Sequence, residues 1–196
     1  MEKYRNFPFI SMVLVTANVM VYLLCALSGN RLYHAGDLSV YGVVAQREYG
    51  RLITSMFLHG DFGHIFNNML ILFFMGAMIE KEIGHIRYIL FYFLSGIGAN
   101  CLSLLVKIFN HDSAPSIGAS GAVFGLDGVL LSLVLFSKHT IPRATPARVG
   151  FMIFYSLYSG LTGQNIDNAA HIGGLLVGFL AGTVMCIAGR RKRNQR

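Results

Sequence analysis

Apolar residues in this chain fall in long blocks, not in the narrow stripes of soluble amphipathic helices. Blocks at about 8–28, 64–81, 86–106, 119–137, 147–161 and 169–188 carry few charges. A helix needs roughly 20 apolar residues to cross about 30 Å of hydrocarbon, so the pattern predicts six transmembrane helices. The fifth block is short, and a tilted, broken or partly re-entrant geometry would each fit it. Between the first two blocks lies 29–58, with "YHAGDLSVYG" and "REYGRLITSMFLH". Its mixed polarity predicts a long structured loop lying at one interface. The expected fold class is all-α: a polytopic six-helix membrane bundle forming one domain over 1–196, with no internal repeat.

Composition agrees with the pattern. Of 196 residues, 54% are apolar and 13% charged, where a soluble domain has about 25% charged. The net charge of +7 raises the question of nucleic acid, but its placement argues against that. Lys3, Arg5, Lys81, Arg87, Lys138, Arg143, Arg148 and the tail Arg190, Arg191, Lys192, Arg193 and Arg196 lie in alternate gaps. That is the positive-inside distribution, and it places both termini in the cytoplasm. The "RRKRNQR" tail reads as an anchor near anionic lipid, a DNA-binding tail being the lesser alternative. Cys25, Cys101 and Cys186 all fall in apolar blocks with no C-x-x-C, so they read as buried small hydrophobes. The N-terminal run from Phe9 to Leu27 is too long for a signal-peptide core and reads as an uncleaved first span.

Polar and ionisable residues inside a membrane are costly and mark function by default. Here they are His64, Asn67, Asn68, Glu80, Ser120, Asp127 and His171. The charge pattern makes the second, fourth and sixth spans run from outside to inside. At about 1.5 Å per residue, His64, Ser120 and His171 each lie roughly 25 Å above the cytoplasmic end of their span. Three polar side chains thus meet at one depth. A serine hydroxyl becomes a nucleophile when a nearby base takes its proton, and histidine is the usual base. Ser120 opens a helix, whose free N–H groups and positive dipole end suit an oxyanion. His64 and Asn68 are four apart on one helix face and can donate to the same spot. Gly121, Gly125 and Gly128 on one span face Gly174, Gly178 and Gly182 on another, the small-residue device for close helix packing. Each feature has a plainer meaning too: Ser120 as an N-cap, the histidines and asparagines as interhelical hydrogen-bond partners. Their conjunction at one depth carries the catalytic assignment.

At these residues the chain resembles the rhomboid intramembrane serine proteases, especially the compact bacterial GlpG-like members. "GASG" at 118–121 is similar to the family's nucleophile motif, and "AHIGGLLVG" at 170–178 to its last-helix histidine motif. "HGDFGHIFNNM" at 59–69 resembles the second-helix motif that lines the oxyanion hole, mapping to His64 and Asn68. "YGRLITSMFLH" at 49–59 resembles the loop's aromatic-Arg motif at Arg51, and "GAMIEKEIG" at 76–84 the end of the second helix, with Glu80 as a structural acid. The resemblance implies a rhomboid-like bundle with a Ser120–His171 dyad cleaving transmembrane segments through an acyl-enzyme. It also implies that the fifth span and "YSGLTGQNIDN" at 158–168 gate and cap the site, Gly160 and Gly163 suiting a mobile element. Two positions depart from the family pattern: Phe124 stands where tyrosine often stacks on the histidine, and Gly50, not an aromatic, precedes Arg51. Asp167, four before His171, is expected to be an exposed loop acid or a helix-start acid, not a triad member. Asp127 lies too deep for a triad and has no family role.

The partners expected are transmembrane protein substrates and membrane lipid, with no nucleic acid, cofactor or metal. The setting expected is a bacterial inner membrane. Rival classes fit less well. There is no H-E-x-x-H, and His59 and His64 are five apart, off one helix face. Asp127 has no acidic partner in another span. A non-cutting relative of this fold would normally lack the serine or the histidine. A transporter would show repeats or midplane charge pairs.

Overall fold

The structure is a computed structural model that describes residues 7–29, 31–136, 146–162 and 166–194. Lys3, Arg5, Lys138, Arg143 and Gly163, used above for topology and capping, lie outside the described residues, as do the side chains of Arg148, Gly160 and Arg190–Arg196. Among the described residues every regular element is helical.

Helix α1 spans Phe9–Ser28 and ends at Gly29, whose φ of 60° supplies the left-handed stop. Short helices α2 (Arg31–Gly36) and α3 (Arg51–Thr54) lie in the next segment, together with a π-turn at Tyr41–Ala45 and a 3-10 turn at Ser55–Phe57. Helix α4 runs Phe62–Ile83 with a π-helical stretch at Leu72–Gly76. Asp61 caps it, its side chain accepting from the His64 N–H at 2.9 Å. Gly84, at φ 86°, breaks the chain into α5, His85–Phe109. Helices α6 (Ser120–Phe136), α7 (Pro146–Thr162) and α8 (Asn168–Asn194) complete the chain. The observed bounds fall close to the six predicted blocks. Among the described residues, four helical stretches are long and apolar enough to cross a membrane: Phe9–Ser28, Phe62–Ile83, His85–Phe109 and Asn168–Gly189. Helix α6 is apolar but 17 residues long.

The bundle centres on α6, which is packed between α8 and α5. Gly121, Gly125, Gly128, Gly174, Gly178 and Gly182 make that packing possible. A β-carbon on Gly174 would lie 1.9 Å from the Gly121 carbonyl oxygen, and one on Gly178 1.9 Å from that of Gly125. Only hydrogen fits there, so the two backbones touch. Phe74, Leu94, Phe109, Phe151 and Leu180 point outward, each more than half exposed, while Ser11, Asn18, Glu80, Ser95 and Asp127 are buried. Apolar outside with polar inside is what a hydrocarbon solvent selects. Glu80, fully buried, accepts from the N–H groups of Ile10 and Ser11, both at 2.8 Å, at the start of α1. A carboxylate there meets the positive end of the α1 dipole. That ties the foot of α4 to α1.

The 29–58 segment is ordered around Arg51. Its guanidinium donates to the Asp37 carboxylate at 2.7 Å and to Glu48 at 2.6 Å, and a β-carbon on Gly42 would lie 2.5 Å from Arg51 Nε. The missing aromatic before Arg51 leaves this pairing in place. The segment also grips the loop ahead of α6. Leu38 and Ser116 exchange backbone hydrogen bonds at 2.9 and 3.1 Å, and the Gly118 N–H donates to the Ser55 carbonyl at 2.9 Å.

Candidate active site

Ser120 is the first residue of α6, directly after the loop clamped by Leu38 and Ser55. The Ala119 carbonyl accepts from the Val123 N–H at 3.0 Å, so Ala119 occupies the cap and the Ser120 N–H is among those that helix geometry leaves open. His171 lies in the first turn of α8. Its Nε2 is 2.9 Å from Ser120 Oγ, although the two residues are 51 apart in sequence. The histidine is 6% exposed. Phe124, one turn below Ser120, stacks on its ring with centroids 4.1 Å apart and planes 6° apart. The phenyl group thus keeps the stacking expected of a tyrosine there.

His64 borders the same space. Gly118 has a φ of 126°, and a β-carbon on it would sit 2.6 Å from His64 Nε2 and 3.8 Å from Ser120 Oγ. A glycine with no side chain therefore leaves open a small gap shared by the histidine and the serine. Asn68 is buried nearby, but its Nδ2 donates to the His64 carbonyl one turn back, at 2.9 Å. Among the described residues no hydrogen bond joins Asn68 to Ser120. Asn67 faces elsewhere, its Oδ1 accepting from Tyr155 Oη on α7 at 2.9 Å.

Asp167 stands at the start of α8, where its Oδ1 accepts from the Ala170 N–H at 2.9 Å. The helix-start alternative therefore describes it and the exposed-loop alternative does not. Its Oδ2 accepts from Ser103 and Ser116. Burial would raise its pKa, but the hydrogen bonds from Ser103, Ser116 and Ala170 and the charge of Lys107 outweigh that and hold it below the usual carboxylate range. These bonds tie α8 to α5 and to the Ser120 loop, and they occupy both oxygens.

His59 was not among the predicted site residues. It is fully buried, its Nε2 accepts from the Ala119 N–H at 3.4 Å, and its ring meets the His64 ring edge-on at 5.0 Å. Accepting at Nε2 puts the ring proton on Nδ1. Burial first, and the neighbouring His64 second, lower its pKa to about 3, against the opposing pull of the Phe57 backbone and Asp61. A neutral histidine thus props both the residue before Ser120 and the His64 ring. The sequence signal was present in "HGDFGH", but five-residue spacing gives no shared helix face, and a turn brings the two rings together.

The molecule is thus an integral membrane bundle that holds a serine and a histidine from two helices in hydrogen-bond contact near one end. The Rhomboid domain family model matches residues 46–188, and the chain belongs to the rhomboid family. It is similar to RHOMBOID-like protein 1 of Arabidopsis thaliana, 40% identical over 154 residues, 78% of this chain and 38% of that protein. It is also similar to two Bacillus subtilis proteins. Rhomboid protease GluP is 30% identical over 183 residues, covering 91% of this chain and 35% of GluP. The putative rhomboid protease YdcA is 32% identical over 150 residues, covering 76% of this chain and 73% of YdcA. The chain spans well under half the length of the first two of these relatives.

Proposed function

We propose that this protein is an intramembrane serine endopeptidase that cleaves transmembrane segments of other membrane proteins. The observation that carries the proposal is the 2.9 Å contact between Ser120 Oγ and His171 Nε2. Ser120 Oγ attacks the scissile carbonyl while His171 Nε2 takes its proton. The oxyanion forms beside the Ser120 N–H and His64, with Asn68 reaching it if its amide turns away from the His64 carbonyl. The tetrahedral species collapses, the C–N bond breaks, and His171 returns the proton to the leaving amine. Water, deprotonated by His171, then hydrolyses the ester and restores the serine. Phe124 holds the imidazole plane throughout, and Asp167 acts on the fold, not on the proton. The dyad needs no metal or cofactor.

The same proposal places residues 1–196 in one membrane domain with six spans. Helices α6 and α7, at 17 residues each, are roughly 25 Å long and cross as the two shortest members. The 29–58 segment is its long interfacial loop. Both termini face the cytoplasm of a bacterial inner membrane, bathed by lipid, and nucleic acid is no partner. A substrate helix must unwind locally, because its own turns shield its peptide bonds.

The test is cleavage of a transmembrane substrate by purified protein beside Ser120→Ala and His171→Ala. The wild type is expected to cut and both variants to lose at least about a thousandfold. Equal cutting by all three would overturn the assignment. Folded protein that cuts no substrate in any lipid would favour a client-binding role.

A further inference from the structure

Ser120 and His171 are each preceded, four residues upstream, by a polar residue that takes no part in the chemistry above: Ser116 and Asp167. These two also meet. Ser116 Oγ donates to Asp167 Oδ2 at 2.5 Å. The chain thus joins the same two segments twice, once through the dyad and once ahead of it.

The glycine seam lies to one side of the dyad. It starts after both residues, with Gly121 against Gly174. On the other side lie the first turn of α8 and the loop before α6, and the first N–H groups of a helix have no partners within the helix to hold that turn. Asp167 supplies them. Its Oδ1 accepts from the Ala170 N–H at 2.9 Å, and its carbonyl accepts from the His171 N–H at 3.2 Å. Its Oδ2 accepts from Ser103, fully buried on α5, as well as from Ser116. One rigid carboxylate therefore fixes α8, α5 and the Ser120 loop relative to one another. Hydrogen bonds to an ionised acceptor are roughly twice as strong as neutral ones.

The partners are themselves held. Ser116 exchanges backbone hydrogen bonds with Leu38, which leaves its hydroxyl to reach Asp167. One turn beyond Ser103 on the same face of α5, Lys107 is 8% exposed and donates to the Ala114 carbonyl at 2.8 Å. That steadies the segment leading to Ser116. The link from Asp167 to His171 runs through the backbone, so Asp167 acts on where the imidazole stands.

We propose that Asp167 and Ser116 are positioning residues for the dyad: their hydrogen bond, braced by Ser103, fixes the first turn of α8 against the Ser120 loop and so sets where His171 Nε2 meets Ser120 Oγ. The effect on catalysis rests on the protease function proposed above; the brace between the two segments does not.

The test uses the full chain in liposomes and compares wild type with Ser116→Ala, Asp167→Asn, Asp167→Ala and the double variant carrying both alanines. Three readouts are taken: kcat and KM on a transmembrane substrate, the pH profile of kcat/KM, and amide hydrogen exchange over 112–119 and 166–172. Asp167→Ala is expected to lower kcat roughly thirtyfold with KM unchanged, the effect of a misplaced base. Exchange should quicken in both segments while the rest of α8 stays protected. Ser116→Ala keeps the bond to Ala170 and should lower kcat about tenfold; it carries the test where Asp167→Ala does not fold. The double variant should be no worse than Asp167→Ala, because the two residues share one bond. Asparagine keeps an acceptor for Ala170 and offers its amide to the serine hydroxyls. Asp167→Asn should therefore stay within about threefold of wild type, with the acid limb of the pH profile in place. An unchanged kcat in Ser116→Ala and Asp167→Ala, additive losses in the double variant, or wild-type exchange in both segments would overturn the proposal. So would Asp167→Asn as slow as Asp167→Ala with a shifted acid limb, since the carboxylate would then act on the proton. A wild type that neither cuts nor takes up a fluorophosphonate would remove the protease function, while the exchange rates still decide the brace.

Discussion

Along the α6–α8 seam backbone meets backbone. The carbonyls of Gly121 and Gly125 occupy the places where β-carbons on Gly174 and Gly178 would be, and that seam delivers Ser120 and His171 to each other. Where α7 docks, the chain uses two hydroxyls instead, Ser156 on Asp127 of α6 and Tyr155 on Asn67 of α4. The first kind of contact has one geometry, because van der Waals repulsion rises steeply once a backbone is touched. The second can open and re-form at the cost of a hydrogen bond or two, each worth about 1 kcal/mol between membrane helices. Ser120 and His171, which must be held to fractions of an ångström, sit on the stiff seam, and the soft seam lies beside them.

The largest effect should come from filling the stiff seam. Gly174→Val is expected to cost more than about 3 kcal/mol and to leave little folded protein. Gly150→Ala on α7 should be neutral or slightly stabilising, since it adds helix propensity and meets no atom. Thermal unfolding in detergent checks both, and equal behaviour of the two would erase the contrast between the seams. Next comes the gap itself. Gly118→Ala puts a methyl group against His64 and forces alanine to a φ of 126°. Cleavage should fall about a hundredfold in protein that still folds.

The prop under the site should show in pH. Unfolded His59 takes a proton near its ordinary pKa of about 6.5, whereas the folded chain resists until about pH 3. The unfolded state therefore binds more protons between these values, and stability falls as pH drops through that window. The full contribution is present above pH 6.5 and is on the order of a few kcal/mol. Melting curves from pH 7 to 4 should show a slope in wild type that is shallower in His59→Gln. Identical slopes would mean that His59 is not held neutral. The smallest effect belongs to the ring stack. Phe124→Leu should lower kcat about three- to tenfold, the worth of one aromatic contact, whereas Phe124→Tyr should retain wild-type activity.

Much of this was legible in the residue order. Helix ends came from runs of apolar residues, and the meeting of Ser120 and His171 followed from counting rise per residue along spans that run in the same direction. The glycine spacing foretold the α6–α8 contact because a stripe every four residues has few other uses in a membrane. What stayed hidden depends on contacts between elements far apart in sequence. Ser156 is an ordinary hydroxyl until Asp127 is placed opposite it. Gly118 reads as part of a nucleophile motif, and its value as the wall of a gap appears once His64 is laid over it. The amide of Asn68 could be placed on the right helix face, but its turn toward the His64 carbonyl is a local choice that periodicity does not encode. The π-helical stretch at Leu72–Gly76 likewise leaves no mark in apolar spacing.

The most direct measurement is mass spectrometry of the intact protein after reaction with a fluorophosphonate. The account predicts one covalent adduct, on Ser120, formed in the wild type and lost in His171→Ala, because without the base the hydroxyl keeps its proton. An adduct on another residue, or labelling of Ser120 that is undiminished in His171→Ala, would contradict it.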